Sequence, residues 1–288
     1  MSFKYCCNNP NSIPYVILHD SSFTLNEKEL LLKCLWHLPE LPSYQANHNT
    51  IFSDPLYDDF LMDLLKNSLS VQDDDIKIIN GGNPPVIPSA DAQYYEDDIC
   101  TNCGKLIYHQ RTTKTKIEEF FNHLRNSIAH GCFNIVDNIF IGFDHPKYGG
   151  LYYTAMLKIP LDKLLASLEL FQDTSKLDDL LAAILKQCGY EVSDNIFNSS
   201  LYAKKGEKAF FFVIKKFNGR YVDKDDIREF VEEYISHDKT QCKYVMIVDS
   251  SYTTKEIRMY LNNYNMSIID KRAMKSLLSG KDVLEDFN

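Results

Sequence analysis

Between Phe120 and Phe133 the chain reads FFNHLRNSIAHGCF, and three of these residues have the chemistry to break a phosphodiester bond. Arg125 carries a guanidinium that can hold a phosphate by two parallel hydrogen bonds and offset the charge that grows on it. His130 carries an imidazole, which gives or takes a proton near neutral pH. Asn126 precedes His130 by four residues, so a helix holding both presents them on one face. With a ribose 2′-hydroxyl as nucleophile, this set needs no metal, and no cofactor is expected. The plain alternative for the same residues is a solvated polar face, because an Arg and a His five positions apart recur by chance in chains of this length.

A helix is expected to position the three. From Thr115 to His130, the residues Ile117, Phe120, Phe121, Leu124 and Ile128 recur at helical spacing and form one apolar stripe. Gly131 then ends the run. At 100° per residue, Arg125 and His130 point about 140° apart, and one helix supplies only one imidazole. A two-fold dimer that brings two copies face to face answers both shortfalls, so a homodimer through the first half of the chain is expected. His123 reads as a surface histidine, at most a helper.

Further helices are predicted at NEKELLLKCLWHL (Asn26–Leu38, with Asn26 as cap), at DPLYDDFLMDLLKNSL (Asp54–Leu69) and at LDKLLASLELF (Leu161–Phe171). The stretch INGGNPPVIPSADAQYYEDD reads as a long loop. FNIVDNIFIGFD and GLYYTAMLKIP read as a β-hairpin pair around HPKYGG. The pattern changes at QDTSK (Gln172–Lys176). Beyond it, LDDLLAAILKQCGYEV is a helix running into a strand and LYAKKGEKAFFFVIKKF a hairpin. DKDDIREFVEEYIS and TTKEIRMYLNNYN are helices, and YVMIVDSS and MSIID are strands. Strands alternating with helices imply an α/β layer. The expected fold is a two-domain α+β chain: a helical domain over 1–172 with an added hairpin, and an α/β domain over 177–288.

The composition bounds the function. Of 288 residues, 44% are hydrophobic and 25% charged, as in globular proteins. No run of about 18 apolar residues suits a membrane helix, and MSFKYCCNNPNSIPYV lacks the continuous apolar core of a secretory signal. A cytoplasmic protein without membrane partners is therefore expected. The net charge is −9, with 14 Lys and Arg against 22 Asp and Glu over residues 1–176 (−8) and 17 against 18 over 177–288 (−1). Neither half is a broadly basic nucleic-acid surface. Eight cysteines lack framework spacing. Cys100 and Cys103, in ICTNCGKLI, have the spacing of half a zinc site, which Cys6, Cys7 or His109 could complete only by folding back. The simpler reading is a turn with two thiols.

LRNSIAHG closing an amphipathic helix resembles the HEPN superfamily, whose signature of Arg, a polar residue and a later His corresponds here to Arg125, Asn126 and His130. The resemblance is sharp over about Phe120–Phe133 and loose over the rest of 1–172. It implies a bundle of four to five helices, a dimer with one composite cleft, and metal-independent ribonuclease activity of the kind found in bacterial toxin–antitoxin and antiphage systems. LDDLLAAILKQCGYEV with its hairpin LYAKKGEKAFFFVIKKF, and the later YVMIVDSSYTTKEIRMYLNNYNMSIIDKRAMKSLL, resemble the Mrr-type restriction endonuclease-like domain. That family holds a divalent metal on an Asp and on a Glu or Gln two residues before a Lys. Here SSLYA has no Asp, and Val213 stands two residues before Lys215, so a retained fold without nuclease activity is expected. Its basic residues Lys204, Lys205, Lys208, Lys215, Lys216 and Arg220 form a local cluster that would bind nucleic acid or merely solubilise a hairpin, and a nucleic-acid or protein trigger would act there. The expected function is thus an RNA-cleaving HEPN-type enzyme. The alternative is a non-catalytic nucleic-acid- or protein-binding component of a defence system.

Overall fold

The computed structural model describes residues 3–4, 12–14, 24–37, 50–81, 87–88, 98–100, 102–145, 153–173, 177–194, 201–215, 223–235, 242–248 and 253–285. The chain divides into two compact units, Met1–Ser175 and Lys176–Asn288. The change of sequence pattern at Gln172–Lys176 lies at that division.

The first unit runs β1 (Ser12–Pro14), α1 (Leu25–His37), α2 (Thr50–Ser53), α3 (Pro55–Leu69), β2 (Ile76–Asn80), β3 (Asp98–Cys100), β4 (Lys105–Gln110), α4 (Lys116–Ala129), β5 (Phe133–Val136), β6 (Ile139–Asp144), β7 (Ala155–Pro160) and α5 (Leu161–Asp173). Five of its strands form one sheet in the order β2-β4-β7-β6-β5. Only β2 and β4 run parallel. A separate antiparallel pair joins β1 to β3, with Ser12 opposite Cys100.

The helical bundle expected over 1–172 is therefore replaced by a mixed sheet with helices on it, and the hairpin is part of that sheet rather than an addition. The reason lies in burial. Tyr108 of β4 and Phe140 of β6 are buried, with Tyr108 against Met62 and Phe120 of the helices. Ile107, Ile141, Phe143 and Met156 are buried among themselves with Ile87. Strands covered on both faces read as short continuous apolar runs, so KLIYHQ lacks the alternation that marks a strand from sequence. The segment FNIVDNIFIGFD is itself a hairpin. It turns at Asp137 and Asn138, whose φ values of 49° and 64° belong to the type I′ turns that suit the twist of a hairpin.

The helices form where local chemistry permits. α1 starts one residue earlier than expected, at Leu25. Thr24 accepts from the Glu27 backbone N–H, while the Glu27 carboxylate accepts from the Thr24 N–H, a reciprocal cap. Asp54 caps α3, with proline at its first turn.

The second unit runs α6 (Leu177–Gln187), β8 (Glu191–Asp194), β9 (Leu201–Lys205), β10 (Lys208–Lys215), α7 (Lys224–Ile235), β11 (Lys243–Val248), α8 (Lys255–Asn262), β12 (Met266–Ile269) and α9 (Lys271–Leu278). Its sheet order is β12-β11-β10-β9-β8, parallel from β10 to β12 and antiparallel from β8 to β10. Phe211, Val213, Phe230, Tyr244, Met246, Leu261 and Ile268 pack in its core.

Candidate active site

α4 carries the Arg–Asn–His set, and both of its ends are fastened. At the N-terminus the Thr115 hydroxyl accepts from the Glu118 N–H. The Asp58 carboxylate, reaching over from α3, accepts from the Lys116 and Ile117 N–H groups at 3.1 Å each. Free donors at a helix start attract such a carboxylate. At the C-terminus His130 is the capping residue and Gly131 has φ 66°. The Cys132 N–H reaches the Ser127 carbonyl at 2.8 Å and the Gly131 N–H the Ile128 carbonyl at 3.0 Å, a complete Schellman closure.

Ile117, Phe120, Phe121 and Leu124 are buried, as the apolar stripe requires, but Ile128 is only half-buried and Ser127 is fully buried. Ser127 meets β6 at Gly142, where an added Cβ would lie 2.8 Å from the Ser127 oxygen and 2.6 Å from the Phe140 ring. Serine and glycine thus let helix and strand approach closely, and this sets the height of the polar residues beside them.

A buried polar network lies next to that contact. His123 is 7% exposed, Asp144 4% and Glu119 0%. His123 Nδ1 lies 2.6 Å from Asp144 Oδ2, and Nε2 lies 2.8 Å from the His109 carbonyl oxygen. The surface position expected for His123 is therefore corrected: the ring is an internal anchor with both nitrogens engaged. The Glu119 carboxylate, 3.9 Å from His123 Nε2, is held by Arg111 through Nε and, at 2.9 Å, Nη2. Those hydrogen bonds raise the Arg111 pKa against the opposing effect of burial. Burial pushes the Tyr108 hydroxyl well above its usual range, and the Asp58 and Glu119 charges add to this.

The structure treats the three expected site residues differently. Asn126 donates from Nδ2 to Asp144 Oδ2 at 3.2 Å and so shares that oxygen with His123. Arg125 and His130 are exposed. Among the described residues no hydrogen bond joins the three side chains to one another. Asp144, Glu119 and Arg111 were not foreseen from sequence. The usable signal was Asp144 closing the apolar run of β6, and Glu119 one turn before His123 beside the apolar stripe.

No family model matches the chain, and no curated protein matches it. A crystal structure described as a protein of unknown function, AF1548, aligns at 13% identity with a TM-score of 0.28, over 36% of this chain and 64% of that one. A likeness at that level leaves the site to be read from this chain's own residues.

In the second unit Val213 is buried on β10, opposite Met246 of β11. Two residues of the expected basic cluster have partners within the unit. Lys205 pairs with Asp282 at 3.0 Å and Glu285 at 3.2 Å, and Lys208 donates to the Glu285 carbonyl at 3.2 Å. The hydrogen bond that Lys205 donates to Asp282, then that to Glu285, raises the Lys205 pKa. Lys205 is thus paired with two carboxylates, whereas Lys208 is held by a backbone carbonyl. Lys204 is exposed, and Lys215 ends β10. Lys216 and Arg220 lie outside the described residues.

The Sγ atoms of Cys100 and Cys103 are 3.6 Å apart. His109 does not join them; its Nε2 lies 3.1 Å from the Gly81 carbonyl. Cys6 and Cys7 lie outside the described residues. Among the described residues no group of three or more His, Cys, Asp or Glu side chains is placed to hold a metal, and no helix is long and apolar enough to cross a membrane.

Proposed function

We propose that the chain is a metal-independent endoribonuclease in which Arg125, Asn126 and His130 act on the scissile phosphate of RNA, as the likeness of LRNSIAHG to the HEPN motif implies, though the first unit is not the helical bundle of that superfamily. The observation that carries this reading is the split environment of one helix end. Asn126 is fixed from beneath by Asp144, while Arg125 and His130 stand exposed beside it. An anchored amide with a guanidinium and an imidazole open to solvent suits a polyanionic substrate arriving from outside.

In this mechanism the imidazole of His130 moves a proton between the 2′-hydroxyl and the leaving 5′-oxygen. The guanidinium of Arg125 holds the phosphate as its charge rises. Strand scission leaves a 2′,3′-cyclic phosphate and a 5′-hydroxyl. A two-fold dimer through the first unit supplies the second imidazole, so that acid and base are separate groups. The second unit, a restriction endonuclease-like fold with Val213 at a ligand position, serves as a sensor or dimerisation element. The setting proposed is a bacterial antiphage or toxin-type system in the cytoplasm.

The test is incubation of the protein, beside His130→Ala and Arg125→Lys, with cellular RNA and with DNA of the same sequence, all in EDTA, and then mapping of product ends. Cleavage of RNA alone, with cyclic phosphate ends and lost in both variants, is expected. Cleavage that stops in EDTA, or that His130→Ala leaves intact, overturns the reading. One observation favours a second reading: the Asn126 amide is already engaged by the chain's own β6, as in a surface that binds RNA without cutting it. RNA retention without cleavage, lost in Arg125→Ala, selects that reading.

A further inference from the structure

We propose that Cys100 and Cys103 form a reversible dithiol–disulfide couple that exchanges with disulfide compounds, with Cys103 as the attacking sulfur and Cys100 as the resolving one. The inference is independent of the ribonuclease reading. Both residues are thiols in this structure, and their Sγ atoms lie 3.6 Å apart, with the Cys103 S–H donating to Cys100. A disulfide bond is ~2.05 Å long, so the sulfurs need to close by about 1.5 Å, within the reach of side-chain rotation. The couple requires only these two side chains.

The surrounding chain keeps the two sulfurs together. Cys100 ends β3, where it pairs with Ser12 of β1. Gly104 follows Cys103 and leads into β4, and an added Cβ there would lie 2.9 Å from a Val71 methyl and 3.4 Å from the Lys158 carbonyl. The chain on either side of the pair is thus fastened to its neighbours. Two groups held in this way react with each other as though at high concentration.

Their surroundings divide the roles. Cys100 is fully buried and Cys103 half-buried, so an incoming disulfide reaches Cys103 first. The Lys158 Nζ lies 3.6 Å from Cys103 Sγ and 2.6 Å from the Cys100 carbonyl oxygen. A lysine ammonium beside a sulfur favours the thiolate, which is the nucleophile in thiol–disulfide exchange. The Cys103 thiolate attacks one sulfur of the incoming disulfide, RSSR. A mixed disulfide forms, and one RS⁻ leaves and takes a proton from water. Cys100 then gives its proton to water, and its sulfur attacks Cys103 Sγ. The second RS⁻ leaves and is protonated in turn. The chain gives up two electrons and two protons, and RSSR becomes two RSH. A thiol reductant runs the same steps backwards and restores both cysteines.

The experiment incubates the full chain in glutathione buffers from fully reduced to fully oxidised, quenches with acid, and maps the cysteines by differential alkylation and mass spectrometry. A Cys100–Cys103 linkage is expected, appearing as a single two-electron transition and disappearing in excess dithiol. Brief alkylation of the reduced native chain is expected to label Cys103 about tenfold or more faster than Cys100, because exposure and thiolate character set the rate. Both readings are made on the wild-type chain, so neither depends on a variant folding. Cys100→Ser is expected to stop at the mixed disulfide of Cys103 with glutathione. Cys103→Ser is expected to take up no glutathione at Cys100. A chain that forms no Cys100–Cys103 linkage in glutathione disulfide alone overturns the proposal. So does a zinc ion that must be chelated away before the two cysteines react. Labelling of Cys100 ahead of Cys103, or a Cys103 that stays reduced in Cys100→Ser, overturns the assignment of roles.

Discussion

His123 Nδ1 lies 2.6 Å from Asp144 Oδ2, and this bond joins the middle of α4 to the end of β6 beneath the polar residues of the helix surface. The same carboxylate oxygen takes the Asn126 amide. A buried hydrogen-bonded pair is therefore also the mount of one proposed site residue.

Asp144→Ala removes one partner of that pair and leaves the buried His123 ring nitrogen and the Asn126 amide without their hydrogen-bond partner. Leaving a buried polar group unsatisfied costs about 1–3 kcal/mol. A loss on that scale in the urea unfolding of the first unit is expected, together with a fall in RNA cleavage as Asn126 loses its anchor. A variant as stable as wild type would show that the pair contributes nothing to the fold.

Gly142→Ala puts a methyl group 2.8 Å from the Ser127 oxygen and against the Phe140 ring. Forcing helix and strand apart costs about 1–3 kcal/mol. A lower thermal midpoint is expected, and it should be partly restored by Ser127→Gly, which reopens the space. A lack of rescue would place the strain elsewhere.

His130→Ala and Arg125→Lys change exposed side chains, so the unfolding midpoint should stay within error of wild type. Cleavage should fall by about 10²–10⁴-fold in His130→Ala, the range of general acid–base catalysis. Arg125→Lys keeps the charge but loses the planar fork and should also fail. Activity that falls only in proportion to stability would argue against a chemical role.

Cys34 of α1 is fully buried, and burial, with the nearby Glu169 charge, pushes its thiol up to about 12 from a usual 9.0. The unfolded chain ionises this thiol first, so the folded state holds the extra proton between those values. Stability therefore falls as pH rises from about 9 towards about 12. Cys34→Ala should lose that part of the alkaline slope while being less stable at pH 7. An unchanged slope would mean that the thiol meets solvent.

On the proposed restriction endonuclease-like reading of the second unit, Val213 takes the place of a metal-binding acid, and it is buried. A valine offers no oxygen to a hard cation. Titration with Mg²⁺ or Mn²⁺ should give no saturable heat assignable to this unit, and EDTA should leave its melting unchanged. An ion bound beside β10 would reverse this expectation.

Much of the second unit was legible in sequence because its signals are local. α6 is a short amphipathic helix, Gly189 at φ 84° ends it, and AKKGEK turns between two apolar runs at Gly206. Likewise the span and both ends of α4 are set by Thr115, the apolar stripe and Gly131, which act within a few residues of one another.

The sheet of the first unit was not legible. β2, β4 and β7 are paired across about 30–50 residues of chain, and the burial of β4 and β7 on two faces removes the alternation by which a strand announces itself. The fate of the polar residues on α4 was hidden for the same reason. Helical spacing puts Asn126 and His130 on one face, but their surroundings are decided only by β6 lying against the helix at Gly142 and Ser127. That contact buries His123 against Asp144, ties Asn126 to the same carboxylate, and leaves Arg125 and His130 in solvent. Residue type and spacing determine which groups a helix can offer. Which of them are spent inside the protein depends on partners far away in sequence, because a buried polar group must be satisfied by whatever the fold brings to it.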